Sequence, residues 1–328
     1  MSTIQVSKLC RTYRAKKGIV RRSVKEIHAV RPIDFQVEAG ELFGLLGPNG
    51  AGKTTTVKML TTLLIPTAGT ASVAGFDVEQ QAREVQRRIG FIFGGERGLY
   101  WRLSAEDNLR YFASLYHVDP PVAKRRIPYL LDLVGLHGRG DEKVEGYSRG
   151  MKQRLHVART LLHDPSVLFL DEPTIGLDPV GARDFRRVIQ NLQSEGKTIL
   201  LTTHYMYEAD LLCDRIAVIN HGRIVALDSP TALKQVVRDL SVVEVELFGA
   251  PATVVDAVTA VDGVQSAAIE DRGQRQALLV QTPVGAAAVS DILAALAEHR
   301  VGRVAVREPT LEDAYVRLVD RGPETGDG

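Results

Sequence analysis

The sequence has few of the features that mark secreted or membrane-spanning proteins. Its two cysteines, Cys10 and Cys213, lie far apart and without the spacing of a metal site, which favours a reducing compartment. The N-terminal residues lack the apolar core of a signal peptide. No stretch approaches the roughly 18 uninterrupted apolar residues of a membrane span. We therefore expect a soluble cytoplasmic protein.

An excess of one charge sign is also missing. The 41 lysines and arginines nearly balance the 40 acidic residues, and the net charge of +1 gives no reason to expect a nucleic-acid partner. Residues 11–31 are the local exception, with eight basic side chains against the single acid Glu26. We favour a solvated hairpin here over a contact with anionic lipid headgroups, because runs of charge usually mark solvated surfaces.

A glycine-rich segment from Gly47 to Thr54 fits the pattern of a phosphate-binding loop. The apolar run at 42–46 predicts a buried strand before it, and residues 54–64 predict a helix whose N-terminal N–H groups face the anion. Lys53 would reach the β and γ phosphates, and the Thr54 hydroxyl suits Mg2+. The predicted phosphate-binding residues are Gly47, Pro48, Asn49, Gly50, Ala51, Gly52, Lys53, Thr54 and Thr55.

Polar side chains follow two later apolar runs. The run at 167–170 predicts a buried strand, and it ends in Asp171 and Glu172. Open α/β sheets place their ligand sites at such strand ends, so we predict that Asp171 holds Mg2+ and that Glu172 polarises the attacking water. His204 ends the next buried strand, at 198–203, which favours a role in the same site over a structural one.

The element pattern predicts two domains. Strands alternate with helices up to residue 235, which predicts a parallel sheet covered on both faces, with a helical insert at 104–134. After residue 240 the order is strand, helix, strand, strand, helix, strand, as in the split ferredoxin-like arrangement. We therefore predict a nucleotide-binding domain at 3–235, an accessory domain at 240–320 and a disordered polar tail at 321–328.

Taken together, the motifs resemble the ordered set of an ATP-binding cassette (ABC) ATPase. Residues 41–56 and 161–179 look most like the exporter branch for drugs, antibiotics and polysaccharides, in which an appended domain often closes in a segment similar to 309–314. The resemblance implies an α/β fold: a P-loop cassette with a mixed-sheet core, an antiparallel β subdomain and a helical subdomain, followed by a small α+β ferredoxin-like domain. The segments that carry it are the phosphate loop, 147–154, 171–174, 176–179 and 203–204.

The resemblance also implies residue roles. Ser148 and Gly150 match the signature motif, which in the family reaches the γ-phosphate of a partner across a dimer. Asp178 matches the loop that lines the dimer seam, and His204 matches the switch histidine. Tyr13 matches the aromatic residue that stacks on adenine, although a core position is equally open for it. Because one chain carries one phosphate loop and one signature, two chains must meet head to tail around two ATP molecules with Mg2+.

The function implied by the resemblance is that of the ATP-binding and ATP-hydrolysing subunit of an ABC exporter. Such a subunit lies on the inner face of the cell membrane as a homodimer and drives a separate integral membrane permease. The alternative is a soluble ABC regulator or interaction protein, but members of that kind commonly carry two cassettes in one chain. For residues 240–320, we favour a packing or dimerisation module over a small-molecule sensor, because no metal or nucleotide pattern is present there.

Two positions depart from the family pattern. The glutamine that usually ends the strand at 89–93 is replaced by Gly94 or Gly95, with Glu96 and Arg97 as the nearest polar residues. Either Glu96 substitutes for the glutamine, or a water takes its place on the metal. Arg149 replaces the second small residue of the signature. Its charge would either pair with a phosphate or an acid across the dimer seam or slow the closure of the dimer.

Overall fold

The structure of the protein is a computed structural model that describes residues 2–17, 23–93, 98–237, 239–273 and 275–320. The departure from the family pattern at 94–97 and the predicted tail at 321–328 lie outside these residues. The chain divides into two compact units, Met1–Ser229 and Pro230–Gly328. None of the described helices is long and apolar enough to cross a membrane.

The first unit combines two sheets with seven helices among its described residues. Its strands are β1 (Ser2–Lys17), β2 (Ser23–Glu38), β3 (Leu42–Leu46), β4 (Ala68–Val73), β5 (Phe76–Asp77), β6 (Ile89–Phe93), β7 (Val167–Asp171), β8 (Thr198–Thr203), β9 (Arg215–Asn220) and β10 (Arg223–Asp228). Its helices are α1 (Lys53–Leu60), α2 (Ala82–Gln86), α3 (Ala105–Leu115), α4 (Pro120–Leu133), α5 (Arg149–Thr160), α6 (Pro179–Ser194) and α7 (Met206–Leu212).

The larger sheet has six strands in the order β10-β9-β3-β8-β7-β6. All neighbours pair in parallel except β10, which turns back at His221 and Gly222 and runs antiparallel to β9. Every residue of β3, β7 and β8 is buried, as expected for apolar strands covered on both faces. The carboxyl ends of these three adjacent strands therefore meet at one edge of the sheet.

The second sheet is antiparallel, in the order β2-β1-β4-β5. Its long strands β1 and β2 pair antiparallel from one end to the other and form the expected hairpin. The sheet shares a core with β3 and α1, in which the rings of Phe35 and Phe43 stack with centroids 5.3 Å apart. Of the basic side chains, Arg11 donates to the Ile65 carbonyl at 2.8 Å and Arg14 pairs with Glu26 at 2.9 Å.

Local signals set the ends of two helices. Helix α3 begins as predicted, because the Ser104 hydroxyl accepts a hydrogen bond from the Asp107 N–H at 3.0 Å. Helix α1 ends at Leu60, earlier than the predicted Leu64. The Thr61 hydroxyl bonds back to the helix, and Thr62 takes a left-handed φ of 64°, which stops the helix there.

The second unit has the predicted element order. Its four strands form an antiparallel sheet in the order β12-β13-β11-β14, with an apolar core formed with the two helices α9 and α10. The elements are α8 (Pro230–Lys234), β11 (Ser241–Leu247), α9 (Val254–Thr259), β12 (Ser266–Asp271), β13 (Gln276–Thr282), α10 (Val289–Ala295), β14 (Val301–Arg307) and α11 (Leu311–Asp320).

The division between the units comes earlier than the predicted boundary between 235 and 240. Helix α8 and the 3-10 turn Gln235–Val237 belong to the second unit because they contact α11. Val237, Leu240 and Ala314 form a small apolar cluster at this contact.

Asp313 attaches the start of α11 to the end of β14. Its carboxylate is 5% exposed and accepts hydrogen bonds from the Thr310 N–H and hydroxyl, at 2.7 and 2.8 Å, and from Arg307, at 2.7 and 3.2 Å. Burial raises the pKa of Asp313, but the hydrogen bonds from Arg307 and Thr310 outweigh it and lower the pKa below its ordinary value. The charged form is therefore the one that stabilises the fold.

We predict that Asp313→Asn destabilises the second unit by about 1–3 kcal/mol at pH 7, because it removes a charged acceptor from buried donors. Since the folded pKa of Asp313 is lowered, its contribution is complete above its unfolded pKa of about 3.9 and disappears as pH falls through the folded value. Amide hydrogen exchange in α11 and β14, measured from pH 7 to 3, tests both statements. Glu312→Gln, at the exposed neighbour, is the control, and equal exchange in the two variants at pH 7 would contradict the prediction.

Candidate active site

The phosphate loop runs from β3 to α1 and depends on glycine at two close contacts. A Cβ atom at Gly47 would lie 2.2 Å from the Ile219 carbonyl oxygen. A Cβ atom at Gly52 would lie 2.6 Å from the Ala29 carbonyl oxygen, and Gly52 also has a left-handed φ of 111°. Only glycine lets the backbone follow this path, which brings the loop to the N-terminus of α1 as an anion site requires.

Lys53 is a buried cation whose charge is compensated by neighbouring oxygen atoms. Its side chain is 4% exposed, and Nζ donates to the carbonyl oxygens of Gly47 at 2.7 Å and Pro48 at 3.1 Å. The Glu172 Oε1 atom lies 3.1 Å from the same nitrogen. The ammonium group is thus held over the loop by two carbonyl groups and one carboxylate.

The Thr54 hydroxyl and the Asp171 carboxylate form a hydrogen-bonded pair next to Lys53. The Thr54 hydroxyl donates to Asp171 Oδ2 at 2.8 Å, and the Thr202 hydroxyl donates to Asp171 Oδ1 at 2.5 Å. Thr202 Oγ1 also accepts a hydrogen bond from the Glu172 N–H at 3.1 Å. Thr202 was not predicted from the sequence, where the only signal is a hydroxyl residue inside an apolar strand. It orients Asp171 and Glu172 together.

The Glu172 side chain has different partners from the side chain of Asp171. Its backbone has a left-handed φ of 49°, which is uncommon for a residue with a Cβ atom and recurs at functional sites. Its Oε1 atom lies 3.1 Å from Lys53 Nζ and 3.3 Å from His204 Nδ1. The approach to His204 lacks hydrogen-bond geometry. One carboxylate oxygen therefore stands between the loop lysine and the histidine.

Lys53 and Glu172 line a cavity of about 360 Å3, whose described wall does not include His204. Asn49, Lys53, Thr54, Asp171 and Glu172 line it, together with Gly50, Gly52 and Thr55 from the predicted phosphate loop. Gly47 and Pro48 contribute through the carbonyl groups that hold Lys53, and Ala51 is buried behind the loop. The structure adds two wall residues that the sequence did not indicate, Ala29 and Ile175.

Ser148, Gly150 and Asp178 form a second cluster, outside the described wall of the cavity. Ser148 caps α5 by accepting from the Met151 N–H at 3.2 Å, and Asp178 caps α6 by accepting from the Gly181 N–H at 2.7 Å. A Cβ atom at Gly150 would lie 3.4 Å from the Gly181 Cα atom, so the two helix N-termini are in contact.

The guanidinium group of Arg149 lies against Gly176, in the loop before Asp178. A Cβ atom at Gly176 would lie 2.0 Å from Arg149 Nη1, and Gly176 has a left-handed φ of 71°. The left-handed backbone favours glycine at position 176, whereas the tip of the flexible arginine could move aside for a Cβ atom.

Tyr13 is not part of the described cavity wall. It lies on β1 opposite Ile27 and is 37% exposed, with the Arg11 guanidinium 4.9 Å from its ring centroid. Its contact with adenine stays a prediction.

Comparison with known proteins identifies the family. A sequence profile described as ABC transporter matches residues 30–175. The ABC transporter ATP-binding protein NatA of Bacillus subtilis (strain 168) is 42% identical over 222 residues, which are 68% of this chain and 87% of that protein. The chain belongs to the ABC transporter family. The fluoroquinolones export ATP-binding protein MT2762 of Mycobacterium tuberculosis (strain CDC 1551 / Oshkosh) is 41% identical over 89% of this chain and 88% of its own length.

Solved structures agree with this ABC assignment. The cbiO1 protein of Clostridium perfringens, described as part of the ABC transporter complex cbiONQ, is 26% identical with a TM-score of 0.62, over 72% of this chain and 93% of its own. The cassette MJ0796, in a dimeric post-hydrolysis state with ADP and Pi, is 23% identical with a TM-score of 0.59, over 69% and 98%, and shows the fold. The predicted cassette fold and the ATP-binding, ATP-hydrolysing role are confirmed.

We predict that Thr202→Val lowers the rate of ATP hydrolysis about 10- to 100-fold while ATP still binds. The change keeps the shape of the buried side chain but removes the hydrogen bond to Asp171 Oδ1 and one of the two hydrogen bonds that the Glu172 N–H makes to Thr202. The other, to the Thr202 carbonyl oxygen at 3.0 Å, remains, and the loss is worth about 1–3 kcal/mol. Steady-state hydrolysis and fluorescent-nucleotide binding provide the measurements.

The matched control is Thr198→Val at the other end of β8. The Thr198 hydroxyl is also buried and accepts a hydrogen bond from the Gly40 N–H at 3.0 Å, remote from the cavity. Equal hydrolysis rates in the two variants would show that Thr202 has no special part in the site.

Proposed function

We propose that this chain is the ATP-hydrolysing subunit of an exporter and that it binds ATP with Mg2+ between two copies of itself. ATP binding and hydrolysis then close and reopen the pair and drive a separate membrane permease. One observation carries the proposal: Lys53, Glu172 and the Thr54–Asp171 pair meet in a single cavity at the ends of adjacent strands.

The loop and Lys53 bind the phosphates. Phosphoryl transfer depends mainly on positioning and on neutralising charge, and both are available here. The backbone N–H groups at the start of α1 face the anion, and the ammonium group of Lys53 lies directly above the loop carbonyls. Phosphate oxygens take the place of the Glu172 carboxylate beside Lys53, which leaves Glu172 free to act on water.

Thr54 and Asp171 are the residues that would hold Mg2+. A hydroxyl and a carboxylate oxygen 2.8 Å apart are the hard oxygen donors that this cation prefers, so the residues fit it. When bound, the cation neutralises charge on the β and γ phosphate oxygens. The Thr202 hydroxyl fixes Asp171 through Oδ1, which leaves Oδ2 facing Thr54.

Glu172 accepts the proton of the attacking water, and His204 orients the water and the γ-phosphate. A general base in position contributes roughly 10²- to 10⁴-fold to a rate. The left-handed backbone of Glu172 and the close approach of His204 Nδ1 to Glu172 Oε1 support this pairing.

The second cluster acts on the ATP of the other copy. Ser148 and Gly150 lie at the N-terminus of a 12-residue helix, which is an anion site, yet they do not line the described cavity of their own chain. Asp178 lies beside them at the start of α6. The dimeric state of the MJ0796 cassette supports a head-to-tail pair.

The transported molecule is recognised by the permease. The relative from Mycobacterium tuberculosis is described as an export protein for fluoroquinolones, which supports an organic cargo for this chain. We place the chain at the cytoplasmic face of the membrane, bound to the permease. The cassette corresponds to the first unit, and the second unit serves as a packing or dimerisation module.

We predict that Glu172→Gln gives a stable dimer in ATP, because the variant keeps the binding groups and loses the base that ends the bound state. Light scattering should show a doubling of mass that depends on ATP. The double variant Lys53→Ala and Glu172→Gln is the control and should stay monomeric. A monomeric Glu172→Gln protein at saturating ATP would rule out the cross-chain arrangement.

We also predict that the tagged Glu172→Gln protein, held in ATP and recovered from detergent-solubilised cells, carries an integral membrane protein with several spans at equal stoichiometry. Mass spectrometry identifies it, and recovery should fail for the Lys53→Ala variant. A soluble companion alone would instead favour a regulator.

A further inference from the structure

Glu208 is a buried carboxylate with no part in the site described so far. It lies on α7, is 5% exposed and is not among the described residues of the cavity wall. Burying a carboxylate is costly unless hydrogen bonds or opposite charges compensate it. Its partners therefore indicate what the charge is used for.

Three side chains from three different segments meet at Glu208. Its Oε2 atom accepts hydrogen bonds from the Thr174 hydroxyl at 2.8 Å and the Thr203 hydroxyl at 3.4 Å. Its Oε1 atom lies 3.5 Å from Arg186 Nη1. Thr174 is in the loop after β7, Thr203 is the last residue of β8, and Arg186 is on α6.

Each of these segments carries a group of the proposed reaction. Thr174 follows Glu172 by two residues, and Thr203 comes directly before His204. The Thr203 Oγ1 atom also accepts a hydrogen bond from the Tyr205 N–H at 2.9 Å, which fixes the turn that contains His204. Helix α6 begins at its cap, Asp178.

The turn at Glu172 needs such a support. A left-handed conformation at a residue with a Cβ atom is strained and persists only where the surroundings hold it. Thr202 holds this turn from one side, through the Glu172 N–H. Thr174, anchored on Glu208, holds the chain on the other side. A displacement of about 1 Å in a reacting group can cost about 100-fold in rate.

We propose that Glu208 is a positioning residue for ATP hydrolysis. Its carboxylate links the loop of Glu172 to the turn of His204, and Arg186 compensates its charge. The proposal rests on the roles assigned above to Glu172 and His204. Glu208 touches neither nucleotide nor water, and it acts through Thr174 and Thr203.

The test replaces Glu208 by Leu and by Gln and separates kcat from KM for ATP. We expect Glu208→Leu to lower kcat about 10- to 100-fold. KM and fluorescent-nucleotide binding should stay unchanged, because Glu208 makes no described contact with Lys53, Thr54 or Asp171. Glu208→Gln keeps an acceptor for Thr174 and should restore most of kcat.

The matched control is Glu41→Leu. Glu41 is also a buried glutamate, 8% exposed and 3.2 Å from an arginine, Arg215, but it lies at the opposite end of β3. If Glu208 only stabilises the fold, both leucine variants will have a lower melting temperature and the same kcat per folded active site. That result would overturn the proposal.

Two further variants keep the test decisive if Glu208→Leu does not fold. Thr174→Val and Thr203→Val each remove one link and should lower kcat, with an effect in the double variant that is not additive. Wild-type kcat in both would overturn the proposal. Glu172→Gln is measured in the same assay. If Glu172→Gln still hydrolyses ATP, the proposed site is wrong. If Glu172→Gln is inactive and Glu208→Leu has a normal kcat, only the positioning role of Glu208 is refuted.

Discussion

The register of three buried parallel strands decides where the charged groups of this protein lie. Asp171 stands opposite Thr202 across β7 and β8, and Leu46 stands opposite Thr203 across β3 and β8. The three strands therefore end at the same height of the sheet. As a result, the segments that follow them, which contain the phosphate loop, Glu172 and His204, lie next to one another. Because side chains alternate between the faces of a strand, a slip of one residue would turn Asp171 away from Thr54.

The charged groups at this edge of the sheet compensate one another. Lys53 is almost completely buried, and an isolated ammonium group there would be strongly unfavourable. Two carbonyl groups and the Glu172 carboxylate compensate it, and Thr54 and Thr202 satisfy Asp171. The carboxylate that we propose as the general base therefore also compensates the charge of the loop lysine.

The sequence was sufficient for the parts of the site that depend on local patterns. Gly47 to Thr54, and Asp171 after an apolar run, are recognisable because the chemistry and the flanking strand are contiguous in the chain. Thr202 and Glu208 were missed, because a threonine in an apolar strand and a glutamate in a short helix look ordinary. Their importance comes from strand register and packing, which bring together residues that are about 30 positions apart.

The contact between the α5 and α6 N-termini explains how a cation is accommodated in the signature segment. A positive charge in the first turn of a helix is disfavoured by about 0.3–1 kcal/mol. The Arg149 guanidinium instead lies against Gly176, in the loop that leads to Asp178. Ser148 uses its hydroxyl oxygen as an acceptor to cap α5, and a hydroxyl that accepts can still donate its proton, as the proposed phosphate contact requires. Arg149 therefore links the N-terminus of α5, which carries Ser148, to the segment that leads to Asp178.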